Sequence, residues 1–364
     1  VLPGIDPHGL QALKDQTSSG VLGLLDMFSG GAFSNASVFA LGIMPYISAS
    51  IVVQLLGIAV PYFQRLQKEG ESGRRKINQI TRYLTLVILV LQGSAYLTNL
   101  KAQVPAEAFV STGFWQFQLP SIVIMAAGSM FVLWLGERIT DKGIGNGVSI
   151  IIMIGIIARL PFAFFAELTS RVSQQGGGLV AFLIELIILF LVFCGSILLV
   201  QGTRKVPVQY AKRVVGRKMY GGQNTHIPLK VNQAGVIPVI FSLSILQFPL
   251  TVTYFTNSAS GFTQFVTKYL SPSGSPGVWI YSILNIVLII FFTYFYTAIT
   301  FNPVEVADNM KANGGFIPGI RPGKSTVEYL SRVMTRITFA GAIFLAVIAT
   351  LPNILGSFTA LGIG

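Results

Sequence analysis

Five branched aliphatic residues stand at spacings that would gather them into a water-excluding constriction. Ile43 and Ile47 are four residues apart and would share one face of a helix. Val148 and Ile152 repeat that spacing after a glycine-rich turn, and Ile240 is the counterpart of Ile47 in a second copy of the surrounding sequence. A ring of such side chains can close a pore by dewetting and carries no hydrogen-bonding code. Each residue taken singly is more often lipid-facing or part of a core.

Patterns that would carry catalysis or bind a metal are missing from the sequence. There is no Ser/His/Asp set, no pair of acids central to an apolar segment and no Walker A sequence. His8 and His226 are far apart, and the single Cys194 excludes an intramolecular disulfide. We therefore predict no enzyme, no catalytic residue, no cofactor and no metal site. The glycine-rich run 143–147 is interpreted as a tight helix–helix turn.

A motif that occurs twice predicts the segments that would position these aliphatic residues. Gly42-Ile-Met-Pro-Tyr-Ile47 is repeated as Gly235-Val-Ile-Pro-Val-Ile240, with Gln54 and Gln247 seven residues after each Ile. Both copies lie in long apolar segments, and the charge pattern makes the two segments cross in opposite directions. Such an inverted repeat is typical of pseudo-symmetric membrane proteins that work where the two copies meet. Chance similarity between apolar segments is the alternative.

The composition indicates a polytopic membrane protein. Of 364 residues, 52% are hydrophobic and 10% are charged, whereas a soluble domain has roughly 25% charged residues. Because lipid cannot satisfy open backbone groups and the alternation of a β-barrel is absent, we predict an all-α fold. Full spans are predicted at 36–60, 83–100, 119–135, 148–166, 179–200, 233–256, 278–300 and 333–351. A further apolar stretch begins near Asn353 and is cut off at Gly364.

Basic residues are concentrated in alternate loops. Of the 25 Lys and Arg residues, 20 lie in the loops 61–82, 136–147, 201–232 and 301–336. By the positive-inside rule these loops are cytoplasmic and residue 1 is extracytoplasmic. Membrane topology is enough to explain most of the net charge of +12, so this charge does not require binding to nucleic acid.

Three segments do not fit simple connections or full spans. Residues 20–29 are apolar but too short to cross a bilayer, which fits a half-helix folded back from the outer side or an interfacial helix. Loop 201–232 has seven basic residues, no acidic residue and interleaved Val and Tyr, which predicts an extended hairpin. Loop 301–336 holds Arg321 near two prolines. The length of both loops favours docking of a large, partly anionic partner over contact with anionic lipid.

Charged residues are few within the predicted spans. Glu185 and Arg159 each lie near a span end, where snorkelling or pairing accounts for them. A secondary transporter would share the inverted repeat but should carry ionisable or coordinating groups at mid-membrane. An intramembrane enzyme would need a nucleophile, metal ligands or paired acids there.

Longer motifs resemble the SecY/Sec61-alpha family of channel subunits over essentially the whole chain. They lie at 39–51, 68–77, 143–147, 230–238 and 319–323. The resemblance implies two pseudo-symmetric inverted halves of five helices, of which the first helix and most of the tenth are not in this sequence. It implies an extracytoplasmic segment, a plug half-helix, an N-terminal half and a C-terminal half, at 1–19, 20–35, 36–178 and 179–364.

The family's activity is then expected of this chain. The resemblance implies a passive channel in the bacterial plasma membrane that translocates unfolded secretory polypeptides and releases membrane segments through a lateral gate between spans 36–60 and 233–256. The energy would come from the motor ATPase SecA, the ribosome or the membrane potential. The expected partners are the small subunits SecE and SecG, SecA, the ribosome, signal peptides, precursors and lipid, with ribosomal RNA as the only nucleic acid contacted.

The resemblance also assigns residues to each part of the channel. The pore ring comprises Ile43, Ile47, Val148, Ile152 and Ile240. The plug comprises Val21, Leu22, Leu24, Leu25, Met27 and Phe28. The lateral gate and its polar cluster comprise Gln54, Gln92, Asn232, Gln247 and Phe248. The docking site for SecA and the ribosome comprises Lys212, Arg213, Arg217, Lys218 and Arg321.

Overall fold

The computed structural model describes most of the chain and divides it into two compact units. The described residues are 1–11, 14–15, 26, 29–173, 178–211, 213–215, 218–220, 225–253, 260–271 and 276–360. One unit comprises Val1–Gln174 with Pro249–Ser273, and the other comprises Gln175–Phe248 with Gly274–Gly364. The domain limits predicted from the sequence stay predictions.

Helices make up most of both units. The α-helices are α1 (Met44–Ala59), α2 (Pro61–Lys68), α3 (Glu71–Gln103), α4 (Leu119–Lys142), α5 (Gly147–Ser173), α6 (Gly178–Gln201), α7 (Ile237–Thr253), α8 (Gly261–Tyr269), α9 (Gly277–Thr300), α10 (Pro303–Ala312) and α11 (Lys324–Ala360). Short 3-10 turns lie at Pro7–Leu10 and Ala106–Ala108, and a π-helical turn, Phe114–Gln118, leads into α4. The strands are β1 (Thr203–Tyr210), β2 (Arg213–Val215), β3 (Lys218–Tyr220), β4 (Thr225–Lys230) and β5 (Gly315–Phe316).

Within the described residues, six helices are long and apolar enough to cross a membrane. They are Glu71–Gln103, Phe114–Lys142, Gly147–Val172, Gly178–Gln201, Gly277–Ala312 and Lys324–Ile354. Each contains one predicted span. Polar turns before the span lengthen Glu71–Gln103 and Lys324–Ile354, and Gly277–Ala312 combines α9 with α10. A seventh span is counted if α1 and α2, which are bent by 99° relative to each other, cross the membrane together.

The span predicted at 36–60 forms a shorter helix. Its first residues make turns, and Gly42 has a φ of 53°, which a right-handed helix does not contain. Helix α1 begins only at Met44, with Pro45 in its first turn, where a missing backbone N–H costs nothing. It ends at Ala59, ahead of Pro61, whose ring clashes with a continuing helix.

The span predicted at 233–256 likewise begins with a turn. Gly235 has a φ of 66°, and α7 begins two residues later at Ile237. The helix is described to Thr253 and contains Pro249. In both copies of the repeated motif the helix therefore begins several residues later than the sequence predicts.

The turn at 143–147 has the predicted helix–helix form. Helix α4 ends at Lys142 and α5 begins at Gly147, whose N–H donates to the Thr140 hydroxyl at 2.8 Å. A Cβ atom on Gly147 would collide with the carbonyl oxygen of Gly136, so the two helices approach closely only because Gly147 has no side chain.

The two long basic loops are joined through one sheet in the second unit. Strands β1 and β4 pair antiparallel, and β2 and β3 form a further antiparallel pair, as expected for an extended hairpin. Strand β5 from loop 301–336 pairs with the end of β1, a contact that the sequence did not predict. Buried Val206, Val208 and Leu229 belong to one apolar cluster with Leu330 and Val333 of α11, which fixes the sheet on that helix.

Candidate functional site

The starts of α1 and α7 have the same local structure. The N–H of Gly42 donates to the carbonyl of Phe39 at 2.9 Å, and the N–H of Gly235 donates to that of Asn232 at 3.4 Å. Ile47 and Ile240 are each the fourth residue of their helix and are half-buried. The repeated sequence therefore corresponds to a repeated structure, with one predicted ring residue at the same position in each copy.

In each copy the first helical turn is closed by the same backbone hydrogen bond. The N–H of Ile47 donates to the carbonyl of Ile43 at 3.2 Å. The N–H of Ile240 donates to that of Val236, the counterpart of Ile43, at 3.3 Å. Ile43 itself is only 4% exposed. The turn that carries each predicted ring residue is thus held by backbone contacts, whatever the side chains touch.

The other predicted ring residues of the first unit lie on α5. Val148 and Ile152 are half-buried and one turn apart. One turn further, Gly155 lies against Gly30, where a Cβ atom would come within 3.4 Å of the Gly155 Cα. Near Ser29, a Cβ on Gly42 would lie 3.7 Å from the serine Cβ. Ser29 and Gly30, within the predicted plug segment 20–35, thus lie beside Gly42, just before α1, and beside Gly155 of α5.

An ion pair ties the predicted plug to α5. The Asp26 Oδ2 lies 2.7 Å from the Arg159 Nη1, and the carboxylate is only 3% exposed while the guanidinium is 44% exposed. The Asp26 Oδ1 accepts from the N–H of Ser34 at 2.8 Å. Arg159 is the thirteenth of the 27 residues of α5. The expectation that Arg159 lies near a span end stays a prediction, because a helix of 27 residues is longer than a bilayer requires.

Sequence reasoning missed Asp26 and Arg159 as candidate site residues. The signal was present, because a carboxylate within the apolar stretch 20–29 and a guanidinium within an apolar span are each costly unless paired. Nothing in their spacing identified them as partners, since 132 residues separate them in the chain. The six residues assigned to the plug lie outside the described residues: Val21, Leu22, Leu24, Leu25, Met27 and Phe28.

The predicted gate residues are distributed over three helices and a turn. Gln54 is exposed on α1, and Gln92 is half-buried on α3. Asn232 lies in the turn before α7, and its buried Oδ1 has no hydrogen-bond partner among the described residues. For Gln247 and Phe248 the structure describes only the backbone, which is helical. Their predicted role in a gate stays a prediction.

The predicted docking residues that are described belong to the β2–β3 pair and to loop 301–336 of the second unit. Arg213 of β2 is paired with Tyr220, and Lys218 of β3 with Val215, at the level of the backbone. Lys212 and Arg217 lie outside the described residues. Arg321 is exposed, and its carbonyl accepts from the Thr326 hydroxyl at 2.9 Å. This hydrogen bond and the flanking proline hold the arginine in a fixed backbone at the surface.

Within the described part of the chain, no group of His, Cys, Asp and Glu side chains is placed to hold a metal ion. Cys194 of α6 is a free thiol of intermediate burial. Among the described ion pairs, Arg82 joins α3 to Glu137 of α4 at 2.7 Å, whereas Glu71 with Arg75 and Glu167 with Arg171 each pair within one helix. The described side chains at this site are therefore aliphatic or paired by charge.

Known proteins resemble this chain over most of its length. The SecY family model matches residues 37–364. The protein translocase subunit SecY of Escherichia coli K12 is 46% identical over 357 residues, which cover 97% of this chain and 79% of that protein. A solved structure described as a protein-conducting channel superposes with a TM-score of 0.63 at 19% identity, covering 90% of this chain and 78% of the other. The yeast Ssh1 complex, solved bound to the yeast 80S ribosome, gives a TM-score of 0.59 at 16% identity and covers 90% and 79%.

Proposed function

The chain belongs to the SecY family of protein translocase subunits, and from that premise we propose how its own residues form a polypeptide channel. The chain is a multi-pass membrane protein. Unfolded secretory polypeptides cross the bacterial plasma membrane through it, and apolar segments leave it sideways into lipid. The residue-level roles that follow rest on local geometry and on the family pattern together.

The observation that carries the proposal is the repeated helix start. Ile47 and Ile240 occupy the same position after a left-handed glycine and a first-turn proline. An inverted repeat with equivalent aliphatic residues supplies a symmetric constriction. Ile43, Val148 and Ile152 complete the ring. Because such a ring excludes water without a hydrogen-bonding code, it seals against ions and tolerates chains of any sequence.

Helices α1 and α7 are proposed as the two sides of the lateral gate. Both are apolar and both are interrupted by proline, α1 at its end by Pro61 and α7 internally by Pro249. Such interruptions free backbone groups that only a protein-lined or water-lined surface can satisfy. The charge of a segment between these helices then decides whether it enters the lipid or crosses the membrane. One charged residue at the centre of a span raises the free energy of insertion into lipid by about 2.5–3.5 kcal/mol.

The joined basic loops are proposed as the docking site for the energy source. Strand β5 links loop 301–336 to loop 201–232, so Arg321 and the β2–β3 hairpin are presented by one unit. Anionic surfaces of the ribosome or of the motor SecA would bind these cations. SecE and SecG are the proposed small membrane subunits, and the basic loops are proposed to be cytoplasmic with residue 1 outside.

Reconstitution tests this proposal directly. The full-length protein, placed in liposomes with SecE and SecG, should protect a secretory precursor from added protease when SecA and ATP are supplied. A matched precursor without a signal sequence should stay sensitive to the protease. A protein that takes up a small solute under an ion gradient, and never protects the precursor, would instead be a secondary transporter.

A further inference from the structure

A carboxylate of the plug segment is buried against a cation of a helix that is long and apolar enough to cross a membrane. Arg159 is the thirteenth residue of the 27-residue helix α5, and charged residues within such helices are rare and mark function. Its partner, Asp26, is the one residue between positions 16 and 28 that the structure describes. The pair is therefore a described contact that joins the plug segment to α5.

The carboxylate of Asp26 is held from two directions. Its Oδ1 accepts the N–H of Ser34, and its Oδ2 faces the guanidinium of Arg159. The carbonyl of Asp26 accepts from the N–H of Gly31 at 2.8 Å and from the hydroxyl of Ser29 at 3.1 Å. These local bonds join Asp26 rigidly to the turn 29–34, so a displacement of that turn must draw the carboxylate away from Arg159.

Two glycines make room for the pair. A Cβ atom on Gly31 would lie 2.7 Å from the Arg159 Nη2, and Gly31 also has a φ of 88°. Gly30 lies against Gly155, one turn before Arg159 on α5. A Cβ on Gly31 would displace the guanidinium from its place beside Asp26, whereas one on Gly30 would make ordinary contact but strain a backbone with a φ of 65°. The close approach of the plug segment to α5 therefore depends on glycine as well as on charge.

We propose that Asp26 and Arg159 are positioning residues that latch the plug in the resting channel, so that opening requires this ion pair to separate. The inference rests on the proposed function, whose channel it regulates. In the closed channel, with no water beside the pair, a buried Asp26 carboxylate without Arg159 is strongly unfavourable. When water reaches the pair in the open channel, hydration stabilises both separated charges, and the pair no longer holds the plug. The latch thus favours the closed state by coupling plug position to hydration.

The test compares matched variants in the reconstituted full-length protein with SecE and SecG. Asp26→Asn keeps an Oδ1 acceptor for Ser34 but loses the charge, and Arg159→Gln removes the other partner. Resting ion conductance should rise about tenfold in each, the shift expected when one charge-assisted hydrogen bond is lost. Both variants should also translocate precursors with weakened signal sequences. Arg159→Lys, which keeps a cation, should stay closer to wild type.

Non-additivity distinguishes a latch from two independent defects. The double variant D26N/R159Q should leak no more than the worse single variant, because both remove one interaction. Glu167→Gln is the control, since it removes the exposed ion pair between Glu167 and Arg171 on the same helix and should leave conductance unchanged. Gly31→Ala keeps both charges and should leak like Asp26→Asn. If Asp26→Asn fails to assemble, the conductance of Gly31→Ala tests the latch in its place.

Two outcomes would count against the latch. Variants at Asp26, Arg159 and Gly31 that translocate normally and leak no more than wild type would overturn it while leaving the channel function intact. Conductance changes that simply add in the double variant would also overturn it. A wild-type protein that protects no precursor would instead overturn the proposed function, so the two failures are distinguishable.

Discussion

Gly42 and Gly235 have the same left-handed backbone conformation, with φ values of 53° and 66°, at equivalent positions of the repeated motif. Each donates its N–H to the carbonyl three residues earlier, and each is followed two residues later by the start of a helix. Only glycine adopts this conformation without strain. The repeat is therefore maintained by backbone geometry as well as by side-chain type.

Alanine at either glycine should destabilise the fold by a similar amount. The left-handed conformation costs a non-glycine residue about 1–2 kcal/mol. No clash adds to it, since a Cβ on Gly235 meets nothing within 4 Å and one on Gly42 makes only ordinary contacts, the nearest with the Ser29 Cβ at 3.7 Å. The thermal unfolding midpoint in detergent measures the effect. Gly261→Ala is the control, because its Cβ also meets nothing and its φ is ordinary. An unchanged midpoint for both variants would contradict the argument.

Removing the side chains of the proposed ring should make the resting channel leak. Ile47→Gly with Ile240→Gly should raise resting ion conductance several-fold, because a wider constriction no longer dewets. Ile154→Gly, at a 56% exposed position on α5, introduces the same helix-weakening glycine away from the proposed ring. A membrane that stays as tight as wild type would remove Ile47 and Ile240 from the ring.

Reversing the charge of Arg321 should block motor-driven translocation without unfolding the protein. Arg321 is exposed and its neighbours are held by backbone contacts, so Arg321→Glu changes the surface and not the core. Losing a charge-assisted contact and adding a repulsive one should slow ATP-driven precursor protection by about tenfold or more. Lys311→Glu makes the same change at another exposed site of this loop. Equal rates in wild type and Arg321→Glu would exclude the proposed role.

Much of the helical fold could be predicted, because the length of an apolar stretch is enough to identify a membrane span. The stretches 179–200 and 278–300 contain no proline and form helices α6 and α9 as expected. The helices in 36–60 and 233–256 were predicted to begin too early, because apolar composition does not reveal that Gly42 and Gly235 are left-handed. The motif itself carried that information in its Gly and Pro positions, which a count of apolar residues ignores.

The contacts that join distant segments could not be predicted from the sequence. Nothing local in Gly315 and Phe316 indicates that they pair with β1, and the strand is only two residues long. The pairing of Asp26 with Arg159 was missed for the same reason, although each residue is conspicuous in its apolar setting. Long-range pairs depend on how the helices pack, which periodicity and charge counts do not determine.

The most direct test of the channel is a disulfide between Ile47→Cys and a precursor in transit. With Cys194→Ala removing the chain's own thiol, a stalled secretory precursor carries one cysteine midway along its length. The account predicts a disulfide that forms only with the precursor present, and none with Ile154→Cys on the exposed face of α5. Absence of the disulfide at Ile47→Cys, while protease protection confirms translocation, would mean that the polypeptide does not pass the proposed ring.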